Sequence, residues 1–326
     1  MPTTFTLPRA SDQALAQRVP DKGGMNPLAG VLALVKKEMD AKRGLGIGST
    51  CLRLLSVVWH AGQHREVVQA ISGAHTKGLL TIYSRAVYRY TLPYLSMRFD
   101  RVQRQQMLVG HYDFVNRALH ASFFQRVLNE TMTLWRREID GRVFSISVGG
   151  PCLHREGDLT MVFKMDGCAL YRMAFSVVKA PLLKVDAVSS RHVLYVGQVQ
   201  GYADRFAQIR QATRLCRDVA PADLLMAGVA GLAGALGIAT VAGVGVENSL
   251  SYQSLLALNT SASYVDFWEK FQGMRAEGGH YLLALPLAEK PISLIKANHR
   301  GRTLAKRELK KSVSEEAESV MRPLVL

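Results

Sequence analysis

LLMAGVAGLAGALGIATVAGVGV, Leu224–Val246, is a run of 23 residues without a charge and with one polar side chain, Thr240. Its length reaches the roughly 20 residues that a bilayer-spanning helix needs. Its composition points elsewhere. Gly228, Gly231, Gly234, Gly237, Gly243 and Gly245 punctuate it, and its character changes halfway. Pro221-Ala222-Asp223 before it has the form of a helix start, with proline in the first turn and an acid at the positive helix end. Gly237 is a helix stop. Ile238–Ala242 then predicts a short buried strand. Helix, glycine, strand is a unit folded into a layered core, so no transmembrane span is expected.

Around that unit the chain reads as helices first and strands afterwards. Residues 1–26 are polar and read as a flexible tail without a secretory signal. Helical spacing predicts helices over 28–40, 49–60, 64–72, 101–110, 112–118 and 121–138, within a helical region 27–140. The pattern changes at Gly141. Strands are predicted over 143–148, 159–165, 169–177 and 193–200, and Asp166-Gly167 between two of them signals a tight hairpin. A helix over 203–217, the Leu224–Val246 unit, a helix over 264–274 and a strand over 280–286 complete a sheet domain, 141–290. A basic helical tail fills 291–326, its helix placed at 291–312. The fold class is α+β: a helical N-terminal part packed on a mixed, largely antiparallel sheet.

Charge narrows the partners. The chain has 41 Lys and Arg against 26 Asp and Glu, a net charge of +15. An excess of that size implies an anionic partner. The cations gather in three groups: Arg85 to Arg104, Arg205 to Arg217, and Lys290–Lys311, where eight face only Glu289 and Glu308. Cys51, Cys152, Cys168 and Cys216 form no CxxC pair, which fits a reducing cytoplasm and argues against a zinc knuckle. His60 and His64 stand four apart, but no third ligand follows, so no metal site is expected. There is no GxSxG, GxxxxGK[ST] or HExxH.

Several short words occur in the order found in the VirK/YbjX family of bacterial proteins, which the chain resembles over 60–312. They are His111-Tyr112, His154-Arg155-Glu156-Gly157-Asp158-Leu159, Leu170-Tyr171 with Phe175-Ser176, and Tyr195–Gly201 (YVGQVQG). Ala212-Thr213, Phe267-Trp268-Glu269 and Leu285-Pro286 follow, then the basic tail. The resemblance implies envelope biology: virulence, outer-membrane protein display, lipid A remodelling or resistance to antimicrobial peptides. It implies no particular reaction. In the family a serine, an asparagine and a histidine are expected after the Ile238 strand. Here Gly245-Val-Glu-Asn-Ser-Leu250 holds no histidine.

A second resemblance is architectural. A strand meander, YVGQVQG at a strand end, a basic helix, a second helix and a strand are similar to the order of GNAT-like acyltransferases. That order implies an acyl-CoA or acyl-carrier donor along Tyr195, Gly197, Gln198, Gln200 and Gly201. Its phosphates would meet Arg210 and Arg214, which lie with Arg217 within about 60° on a helix of 3.6 residues per turn. The glycine-rich phosphate loop is replaced by Tyr202-Ala203-Asp204. Glu247 and Glu156 are the candidate bases, and Tyr264 a candidate proton donor.

Three functions stay open. One is acyl transfer to an envelope amine or hydroxyl. Another is a non-catalytic peripheral factor on anionic lipid or a client protein. The third, nucleic-acid binding, has charge in its favour but no recognised motif. The expected location is the cytoplasm, with peripheral attachment to the inner membrane as the alternative.

Overall fold

Two Asp-Gly pairs shape the front of the sheet. Asp140-Gly141 (φ 48° and 71°) and Asp166-Gly167 (φ 51° and 77°) each hold two consecutive residues in the left-handed region. A two-residue type I′ hairpin demands that geometry. The computed structural model describes residues 57–151, 155–184, 190–252 and 261–326; the expectations for 1–26, 28–40 and 49–56 lie outside them. The first turn joins β1 (Met132–Ile139) to β2 (Arg142–Gly149). The second joins β3 (Leu159–Met165) to β4 (Cys168–Lys179). β5 (His192–Gly201) continues the antiparallel meander.

The Leu224–Val246 run folds as a helix, a turn and a strand. It gives most of one helix, Pro221–Ala235, then Gly237 at φ 65°, then β6 (Thr240–Val244). The strand begins two residues later than Ile238. β6 lies parallel to β5, and β8 (His280–Ala284) and β7 (Met274–Arg275) complete an eight-stranded sheet in the order β1-β2-β3-β4-β5-β6-β8-β7. Every pairing but β5–β6 is antiparallel. No helix among the described residues is long and apolar enough to cross a membrane.

The chain divides after Ala61, and Gly62–Leu326 is a compact unit. Its helices are α1 (Ala61–Ile71), α2 (Leu79–Ile82), α3 (Arg101–Ala118), α4 (Ala121–Asn129), α5 (Phe206–Leu215), α6 (Pro221–Ala235), α7 (Ser261–Lys270) and α8 (Ala297–Met321). α3 lies across one face of β4, where His111 Nδ1 accepts from the Val177 amide at 3.1 Å. α6 covers the opposite face, with Gly228 against Met161 and Ile146. Trp135, Phe144, Phe163 and Phe175 are fully buried in the sheet. Each such side chain contributes about 1.5–3 kcal/mol against exposure.

Four expectations need correction. The helix expected over 264–274 ends at Lys270, and Met274, in β7, pairs with Leu282 of β8 instead. Helical spacing over 121–138 is overruled after Asn129: Met132–Ile139 is a strand, because its residues pair with β2 through the Asp140-Gly141 turn. Gly110 does not split 101–118, which is one helix started by an Asp100–Gln103 capping box. The tail helix runs past 312 to Met321, because Leu309, Val313, Ala317 and Met321 recur every four residues and bury one stripe against the domain.

Candidate functional site at the β5–β6 seam

β5 and β6 touch through only three residue pairs, Leu194–Val241, Tyr195–Ala242 and Val196–Gly243. Beyond Val196 the strands part, and among the described residues no strand pairs with Gly197–Gly201 on the β6 side. The parting coincides with a bulge. Val196 faces Phe175 and Gln198 faces Ala174, so Gly197 is the extra residue. A Cβ on Gly197 would stand 2.1 Å from the carbonyl oxygen of Glu156. Only glycine lets these two chains approach so closely.

The turn carrying Glu156 is held from below. The Leu95 amide donates to the Arg155 carbonyl at 2.7 Å, and the Asp158 amide donates to Phe175 O at 3.1 Å. A Cβ on Gly157 would lie 2.3 Å from the Phe175 nitrogen. The Asp158 carboxylate is fully buried and accepts four side-chain donors. Tyr112 and Ser176 donate at 2.8 Å each, and Arg89 and Tyr94 complete the set. Burial alone would raise its pKa; Arg89, His111, Tyr94 and Ser176 outweigh burial and hold it below the usual value. The same burial, with Asp158 adjacent, pushes the Tyr94 and Tyr112 phenols well up. A buried charge survives only when paired and hydrogen-bonded in this way. The network ties α3, the 3-10 helix Ser84–Thr91, the Glu156 turn and β4 to one point.

The expected donor residues lie in a row on β5. The Tyr195 hydroxyl is 3.0 Å from His280 Nδ1, and burial, helped by Arg98, lowers the His280 pKa to about 4. Gln198 donates to Ser251 Oγ at 2.6 Å, while its Oε1 is buried without a partner among the described residues. Gln200 accepts from Arg172 at 2.9 Å. Gly201 packs on the Tyr171 ring and Ile209. α5 follows, with Arg210 and Arg214 exposed and free of hydrogen bonds and ion pairs to the described residues.

Tyr264, on α7, comes to the same seam. Its hydroxyl is buried and aimed at the Val199 main chain without a full hydrogen bond. Burial raises its pKa, and Tyr171 and Glu156 push the same way. Trp268, one turn on, lies against Gly243, where a Cβ would stand 2.3 Å from its ring. Glu156 is therefore near both Gly197 and Tyr264. Glu247 is held differently, by Arg275 at 2.5 Å beyond the end of β6. Among the described residues no cluster of three metal-ligating side chains occurs. Sequence reading missed Arg89, Tyr94, Ser251 and His280; none stands at a fixed spacing from its partner.

The fold and seam define an α+β protein whose mixed sheet opens beside the parallel β5–β6 pair. The chain belongs to the DUF535 family, described as a protein of unknown function, whose model matches residues 51–310. VirK/YbjX proteins belong to that family. Neither a curated protein nor a solved structure matches the chain.

Proposed function

We propose that this is a VirK/YbjX-type protein of the bacterial envelope that transfers an acyl group from a CoA- or carrier-linked thioester to an amine or hydroxyl. The observation that carries the reading is the seam. An extended pantetheine arm can pair with the edge of Gly197–Gly201, which no described strand occupies, as a strand would. Its thioester then lies near Tyr264. Glu156 accepts the proton of the attacking group, the nucleophile adds to the thioester carbonyl, and Tyr264 protonates the departing thiolate. Glu247 is the alternative base, but its carboxylate serves Arg275. Asp204 stands two residues ahead of α5, where a diphosphate would otherwise sit, so the donor's phosphates fall to Arg210 and Arg214.

A thermal-shift series tests this. A CoA thioester or an acylated carrier protein at 100 times its Kd should stabilise the native chain by about 2.7 kcal/mol. Arg210→Ala with Arg214→Ala should abolish the gain. No shift with either donor class sinks acyl transfer.

The exposed start of α8 favours a second reading, a peripheral factor on anionic lipid. Ala297–Arg302 is exposed throughout, and Leu294 (65%) and Leu304 (52%) stay uncovered. Anionic vesicles should outcompete duplex DNA at equal ionic strength. Preference for a defined nucleic-acid sequence would overturn both envelope readings.

A further inference from the structure

α6 and α8 cross at contact distance: a Cβ on Gly231 would stand 2.1 Å from the Ser314 carbonyl. Alongside α6 and α8 lies a groove of about 1240 Å³. That is ample for a small ligand, since such sites span about 300–1,000 Å³. Ala227, Ala230, Ile238, Leu285, Leu287 and Leu304 give it an apolar lining.

The rim is charged, and its acids are already engaged. Asp218 is held by Arg302, Asp223 by Lys270, Glu289 by Arg307 and Lys310, Glu308 by Arg217, and Glu318 by Arg322. Lys290 forms no ion pair with a described carboxylate, and Lys306 donates only to the Asp218 main-chain carbonyl, at 3.1 Å, beside the carboxylate that Arg302 already holds. The groove therefore pairs an apolar trough with a cationic edge at Lys290 and Lys306. We propose that it binds a single-chain anionic lipid, its chain along Ala230 and Leu304 and its phosphate or carboxylate at Lys290 and Lys306. The site does not depend on acyl transfer. It narrows the peripheral reading from a bilayer surface to one lipid molecule.

Calorimetry with dodecyl phosphate below its micellar concentration tests the site on the full chain. One molecule should bind per chain. Octyl phosphate should bind more weakly, by roughly twofold or more per methylene removed. Inorganic phosphate should not bind, and neutral dodecyl maltoside should bind poorly. Lys290→Glu with Lys306→Glu should weaken dodecyl phosphate by at least roughly fivefold per lysine. Ala230→Phe should block the trough, with circular dichroism confirming the fold. Arg210→Ala with Arg214→Ala should leave this binding intact, which separates the groove from the β5 donor edge. Full affinity in both the Ala230→Phe and the lysine variants overturns the proposal. So does equal binding of inorganic phosphate, or binding to vesicles with none to the monomer.

Discussion

The carbonyl oxygen of Glu156 lies against Gly197, so close that a Cβ there would stand 2.1 Å away. The obstacle is main chain, which cannot swing aside like a side-chain tip. Gly197→Ala should cost about 2–3 kcal/mol through overpacking. The melting point should fall by roughly 4–10 °C for a domain of this size. Gly62 meets nothing within 4 Å, so Gly62→Ala on α1 should leave the midpoint unchanged or slightly raised. A Gly197→Ala protein that melts with the wild type would refute the close approach.

Asp158→Asn should be far more damaging than its small change of shape implies. It leaves Arg89 buried without a counter-charge, a loss of about 3–5 kcal/mol. Tyr94→Phe removes one donor and should cost about 1–2 kcal/mol. Chemical denaturation of the two variants gives the order directly. Equal losses would show that Asp158 does not anchor the network.

The two sites also separate along the pH axis. The folded pKa of His280 is lowered to about 4, first by burial, then by Arg98, with Glu247 opposing. Folding favours its neutral form. Its contribution is therefore complete above the unfolded value of about 6.5 and disappears as pH falls toward 4. His64, His111 and His192 shift in the same direction. Asp158, held below its usual value, adds stability above about pH 4 that is lost on further acidification. A plot of melting point against pH should fall first between 6.5 and 4, and again below 4. His280→Gln should flatten part of the first limb and leave the second; an unchanged first limb would count against a buried neutral His280.

The Leu224–Val246 run gives a fourth test. Its helical part belongs to a 15-residue helix packed on Met161 and Ser314, and the rest is a strand inside the sheet. Alkaline carbonate should strip the chain from any membrane fraction. Retention in the pellet would mean that the run inserts into lipid.

What could be read beforehand follows the range of each interaction. Asp166-Gly167 was readable because turn chemistry resides in two adjacent residues. Asp140-Gly141 carries the same signal. However, Met132, Trp135 and Ile139 also repeat every three to four residues, and that spacing imitates a helix until the partner strand is known. Charge alone ends the tail helix too early. Glu315, Glu316 and Glu318 end the basic run, yet the buried stripe Leu309, Val313, Ala317, Met321 passes straight through them. At the seam, Tyr195–Gly201 stood out because it is contiguous. The Asp158 network did not, since its donors come from 18 to 69 residues away. The α6–α8 groove depends on how two helices cross, and no local pattern encodes that.

The three rungs between β5 and β6 also bear on how the molecule assembles. β1 to β5 join neighbours along the chain, and such local pairings form early and cheaply in entropy. β6 can dock only after the intervening stretch with α5 and α6 has closed as a loop. The second half of the sheet is thus attached late and through three residue pairs. Native-state hydrogen exchange should find the amides of Val241–Gly243 opening before those of Met161–Phe163. The sheet would then behave as two cooperative units hinged where Gly197 leaves the ladder.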